Sequence, residues 1–129
     1  MEEPGIRSAE RLKREVLVRL TAVHQEQFSF EGVAVGLSVH GMGLRSSDPV
    51  LNCATLQMLM RDAFKVMFQI EGVEFSDITC KILRVEKSRK DPTKDYFIAV
   101  RFIQISDLDE LNLQTYIRFY SSREEEENV

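Results

Sequence analysis

The sequence predicts an all-β domain, a small antiparallel barrel or sandwich finished by one C-terminal helix. Three observations predict it: apolar residues recur at every second position in several runs, turn residues separate those runs, and the one well-marked helix start follows the last run. Nothing in this order alternates as β-α-β units. At 129 residues, with 43% hydrophobic and 29% charged side chains, the chain suits a single domain with its own apolar core.

The first fifteen residues are polar and charged. From Arg7 to Arg19 stand five bases, Arg7, Arg11, Lys13, Arg14 and Arg19, against the acids Glu10 and Glu15. Residues 1–15 are therefore expected to form a flexible basic leader. Period two begins at Val16, with Val18, Leu20 and Ala22 on the same side, which predicts a strand. After a polar turn at His24 to Gln27 comes a second run, Phe28, Phe30, Val33, Val35, Leu37 and Val39. Its apolar parity shifts by one, and a bulge or bend at Gly32 is expected to absorb the shift.

The run ends in Gly36-Leu37-Ser38-Val39-His40-Gly41-Met42-Gly43-Leu44, whose glycines let backbone approach a ligand closely. Asp48-Pro49 marks a further turn. Residues 53–63 fit two periods: Leu56, Leu59, Met60, Ala63 and Phe64 make a helical stripe, whereas Leu56, Met58 and Met60 alternate as in a strand. Phe64, Val66, Phe68 and Ile70 alternate with Lys65, Met67 and Gln69 in a strand that stops at Glu71-Gly72. Two more strands, Ile78 to Val85 and Tyr96 to Ile105, flank a charged turn from Glu86 to Asp95.

Ser106-Asp107-Leu108-Asp109, followed by Glu110, sets a hydroxyl three residues before an acid and predicts a capped helix start with favourable charge in its first turn. Leu108, Leu111, Leu113, Tyr116, Ile117 and Tyr120 supply its apolar side. The expected organisation is a leader over 1–15, a barrel with its helix over 16–120, and an acidic tail over 121–129. Phe28, Phe30, Phe64, Phe68 and Phe102 are expected to fill the barrel, with Met58, Met60 and Met67 filling core or interface gaps.

Charge narrows the function. The formal net charge is −4, and without the tail from Arg123 onward 16 bases face 17 acids. A body this close to neutral lacks the basic face that binds nucleic acid polymers. Cys53 and Cys80 lie far apart without a CxxC partner, so reduced, half-buried thiols are expected. No apolar run reaches the roughly 18 residues of a membrane span, and Met-Glu-Glu-Pro does not open a secretory leader. The expected location is cytoplasmic, without membrane insertion.

HExxH, the phosphate-cradling GxxxxGK[ST] and any His or Cys cluster with ligand spacing are missing, so an enzyme is not expected. What stands out is Arg7-x-x-x-Arg11 upstream of Ser38-x-x-Gly41 at the end of a strand. Guanidinium groups form bidentate hydrogen bonds to phosphate and stack on purine faces, and a basic leader can fold over a ligand resting on a rigid barrel. That is a nucleotide-binding arrangement. His40 lies inside the glycine-rich turn and is the better ligand-contacting candidate of the two histidines.

The segment from Gly36 to Leu44 resembles the [DN]-x-S-x-x-G segment of PilZ domains. Tyr96 to Ile105 with the capped helix is similar to that family's closing strand and C-terminal helix, and Ile78 to Val85 falls where another barrel strand belongs. The likeness spans Arg7 to Tyr120. It implies a six-stranded β-barrel that binds cyclic di-GMP, a bacterial second messenger, through an N-terminal RxxxR and the second motif. Carried over, Arg7 and Arg11 match the first motif, with Arg14 nearer the strand; Ser38 and Gly41 match the second, flanked by His40 and Gly43.

Gly36 stands where the family has Asp or Asn. Loss of that acceptor removes a charge-assisted hydrogen bond worth roughly 1.5 to 3 kcal/mol. The expected function is a stand-alone, non-catalytic regulator that binds cyclic di-GMP and passes the signal to an unidentified protein partner. The alternative is a degenerate module that binds no nucleotide and works by protein docking, for which an exposed apolar patch around Leu56 to Met60 would speak.

Overall fold

The computed structural model describes residues 16–25, 28–87 and 95–127. Val16–Ala22 forms β1 with Val16, Val18, Leu20 and Ala22 buried, as alternation demands of a strand with one dry face. Ser29–Leu37 is β2, Gly41–Ser46 β3, Ala63–Ile70 β4, Val73–Lys87 β5 and Tyr96–Ile105 β6. Among the described residues these six strands close into an antiparallel barrel in the order β1-β2-β3-β6-β5-β4, with β4 returning to pair with β1. Closure settles the choice between barrel and sandwich, and among the described residues no edge strand is left to pair with a stranger.

Side chains from alternate positions fill the interior. Phe30, Phe64 and Phe28 meet with centroids 5.9 to 6.4 Å apart, and Phe68 stacks on Phe75 at 4.8 Å. Leu20, Leu44, Val66, Ile78 and Ile98 are fully buried among them, each contributing about 1.5–3 kcal/mol of transfer free energy. Met42 belongs to this core, whereas Met60 and Met67 are exposed. Of the methionines expected to fill core or interface gaps, Met60 and Met67 thus lie outside the core; Met67 alternates with Val66 and Phe68 and so points out of the barrel.

The parity shift in β2 lies elsewhere than expected. Phe30, Gly32 and Ala34 all face inward, and the register slips between Ala34 and Gly36, making Val35 the extra residue. Gly32 keeps the register because β3 passes close above it: an added Cβ would stand 2.9 Å from the Arg45 carbonyl oxygen. Val33 faces outward and pairs with Leu17 across β1.

Residues 53–63 divide between the short helix α1, Cys53–Leu59, and the start of β4. Asn52 caps it reciprocally: Asn52 Oδ1 accepts from the Thr55 N–H at 3.1 Å, and Thr55 Oγ1 accepts from the Asn52 N–H at 3.0 Å. Leu59 is buried, so the Leu56 to Met60 segment turns one of its apolar side chains into the core. The β4–β5 hairpin turns through Glu71 and Gly72 at φ 52° and 78°, the left-handed pair that suits a two-residue hairpin.

The second helix, α2, spans Asp107–Glu127. Ser106 Oγ accepts from the Asp109 N–H at 3.2 Å, the cap expected from sequence. The Asp109 carboxylate, itself buried, does not turn back to the cap; it accepts from the Asp77 N–H of β5 at 3.0 Å, while the Ser106 N–H donates to the Asp77 carbonyl. Leu113 and Ile117 are buried, and Tyr116 meets Phe75 edge-on at 6.5 Å. The helical backbone runs past position 120, since Ser121 to Glu127 contains neither Gly nor Pro to stop it. Cys80 is free and completely buried rather than half-buried.

Candidate functional site

β2 ends at Leu37, and the chain reverses through Ser38, Val39 and His40 into β3. The Ser38 N–H donates to the Gly41 carbonyl at 2.9 Å, and the Ser38 hydroxyl accepts from the His40 N–H at 3.2 Å. Ser38 is buried and closes the turn on itself, while the exposed His40 offers its carbonyl to the Phe102 N–H at 2.8 Å. The loop is therefore tied to β6. Gly41 is packed so tightly on that strand that an added Cβ would overlap the Val100 carbonyl oxygen.

Beside this turn lies a cavity of about 380 Å³ that also takes in Gly36, Gly43, Arg84, Phe97 and Arg101. Pairing explains the convergence. Gly36 pairs with Gly43, Gly43 with Ala99, and Ala99 with Arg84, so the four stand in one row across β2, β3, β6 and β5. Two bulges aim the row: the slip at Val35 turns Gly36 outward, and a second slip between Ile82 and Arg84 leaves Leu83 as the extra residue and puts both Leu83 and Arg84 on the outside. The result is a floor of small residues with a guanidinium at one end.

Phe97 lies over this floor, 2.9 Å from where a Gly43 Cβ would be. The Arg84 guanidinium sits 6.0 Å from the Phe97 ring centroid, and its Nε is 3.6 Å from Glu86 Oε1, a cation–π stack steadied by an exposed ion pair. Arg101 pairs with Gly41 across β3 and with Lys81 across β5, and is exposed. It also lines an adjoining cavity with His40 and Gln104.

The structure thus brings Ser38, His40, Gly41 and Gly43 to one cavity with Gly36. Arg7, Arg11 and Arg14 lie outside the described residues, as does the leader they belong to. Arg84, Phe97 and Arg101 were missed by the sequence reading, although one signal was present. The apolar parity of Ile78, Cys80 and Ile82 changes before Val85, which marks the bulge that re-aims Arg84.

His24 lies toward the other end of β2. Its ring Nδ1 is 2.7 Å from Asp62 Oδ1, and its N–H donates to Asp62 Oδ2 at 3.2 Å. Ala63 N–H adds a third bond, at 2.7 Å. Burial by itself raises the Asp62 pKa, but these hydrogen bonds and the imidazole charge outweigh it and hold the carboxyl below its ordinary value. The pair ties the end of β1 to the start of β4. Among the described residues no cluster of three His, Cys, Asp or Glu side chains is placed to hold a metal, and no helix is long and apolar enough to cross a membrane.

The chain is a closed six-stranded antiparallel barrel with a capped C-terminal helix and a cavity at the β2–β3 turn. The PilZ domain model matches residues 6–119, and the chain belongs to that family. The solved PilZ domain of Escherichia coli YcgR with c-di-GMP is similar at TM-score 0.60 and 15% identity, covering 94% of each chain. That of CeSA from a cellulose-synthesizing bacterium gives 0.57 and 13%, covering 86% of this chain and 97% of that one. The Bacillus subtilis inhibitor of motility, MotI/DgrA, gives 0.69 and 9% over 95% of this chain; the chain spans about half (53%) of that protein's length. At such identities the likeness is one of fold. No curated protein matches by sequence.

Proposed function

We propose that the chain is a non-catalytic receptor for cyclic di-GMP that works in the cytoplasm and passes the signal to a protein partner. The observation that carries this reading is the cavity at the β2–β3 turn, where Ser38, His40, Gly41 and Gly43 converge beside two arginines and an aromatic ring. Family membership supports it, as do the structures of YcgR with c-di-GMP and of Borreliella burgdorferi PlzA in complex with c-di-GMP. In this reading Arg7 and Arg11, with Arg14 in reserve, grip phosphates and guanines from the leader. The turn holds the opposite side of the ligand. Replacing both Arg7 and Arg11 by Ala is expected to weaken binding at least tenfold, each lost charge-assisted contact being worth about 1.5–3 kcal/mol; unchanged affinity in a titration would remove the clamp.

A second reading, a docking module without nucleotide, draws on Gly36, which offers no side-chain acceptor, and on Leu108 and Leu111 of α2, which are 66% and 61% exposed. Leu59 is buried, so the Leu56 to Met60 segment gives this reading less support. A pull-down that depends on Leu108 and Leu111 and is indifferent to cyclic di-GMP would favour it.

A further inference from the structure

The charged side chains around the cavity form a one-sided set. Among the lining residues the charged ones are Arg84 and Arg101, both pure donors, and no carboxylate is present. Gly36 adds no acceptor, and an added Cβ there meets nothing within 4 Å. A guanine base shows two different edges: N1–H and the 2-amino group donate, whereas O6 and N7 accept. The two guanidinium groups fit the second edge, and an arginine fork meets O6 and N7 with two bonds at once.

The two arginines are not equivalent. Arg84 is held over Phe97 and against Glu86, so it serves the flat face of a base as part of a stack. Arg101 has no ion pair among the described residues, and its register opposite Gly41 sets it next to the Ser38–Gly41 turn. We infer that Arg101 reads the guanine of the ligand through O6 and N7, with Phe97 and Arg84 as the stacking platform, in place of an acceptor at position 36. This inference rests on the cyclic di-GMP reading above. Adenine presents a 6-amino donor where guanine has O6, so the same fork rejects it.

Titration of the full chain with four probes tests the assignment: cyclic di-GMP, its inosine analogue without the 2-amino group, its 7-deaza analogue without N7, and cyclic di-AMP. The wild-type chain should hold the inosine analogue as tightly as the parent and lose about tenfold on the 7-deaza analogue and more on cyclic di-AMP. Arg101→Ala should weaken the parent by about tenfold and erase the difference between parent and 7-deaza analogue. Arg101→Lys keeps the charge without the fork and should erase the same difference.

Circular dichroism of both variants, which change an exposed side chain, checks that the barrel is intact. A tenfold loss on the inosine analogue with none on the 7-deaza analogue would overturn the assignment and leave the receptor reading standing. Equal losses for parent and 7-deaza analogue in Arg101→Ala would also overturn it, making Arg101 a phosphate contact. Failure of the wild-type chain to bind any of the four would overturn the receptor reading and this assignment with it.

Discussion

Gly36 and Gly43 face each other across the β2–β3 pair, yet only Gly43 is covered, with the Phe97 ring 2.9 Å from an added Cβ, while Gly36 has open space above it. A third glycine, Gly41, is pressed on the Val100 carbonyl. Side chains at these three positions should therefore have graded effects. Gly41→Ala forces β3 away from β6 and is expected to cost about 3 kcal/mol, at the upper end for overpacking. Gly36→Ala should change stability by less than about 0.5 kcal/mol. Urea denaturation of the two variants checks the contrast.

The clamp of Asp62 on His24 and Ala63 predicts an acid-sensitive barrel end. A carboxyl whose folded pKa lies below its unfolded value adds stability that is complete above the unfolded value and disappears as pH falls through the folded one. For Asp62 that window lies below its ordinary 3.8. Asp62→Asn should lower stability at neutral pH and flatten the acid limb of the stability profile, as measured by denaturant midpoints from pH 7 down to about 3.

Asp109 joins α2 to the barrel through the Asp77 N–H. Asp109→Ala removes that charge-assisted hydrogen bond and should cost about 1.5–3 kcal/mol. Ser106→Ala removes the cap alone and should cost about 1 kcal/mol. Hydrogen exchange of the Asp77 amide separates the two, since only the first variant should expose it.

Burial pushes the Cys80 thiol up to about 12, and the thiolate is the reactive form. In a Cys53→Ser variant, Cys80 should react with a thiol reagent only as fast as the barrel opens. Labelling within the mixing time would contradict its burial.

Most of the barrel was legible because its strands have one wet and one dry face, and period two names those faces directly. β1, β4 and β6 follow the alternation of Val16 to Ala22, Phe64 to Ile70 and Tyr96 to Ile105. The bulge in β2 was misplaced because Gly32 shows no side chain to reveal its face, and the outward Val33 and Val35 resemble core residues. α1 was ambiguous because seven residues are too few to separate the two periods, although the Asn52 and Thr55 cap was readable. At the site, Ser38, His40, Gly41 and Gly43 came from one contiguous motif. Arg84, Phe97 and Arg101 come from strands distant in sequence, and only the β5–β6 register and its bulge bring them to the same cavity.

Whether the cavity at the β2–β3 turn receives cyclic di-GMP is decided by isothermal titration of the purified chain, at low and moderate salt with linear GMP as control. Saturable binding of the cyclic dinucleotide is expected at low-micromolar concentration or below, with linear GMP much weaker. No heat up to high-micromolar ligand would contradict it and leave the barrel as a docking surface for protein.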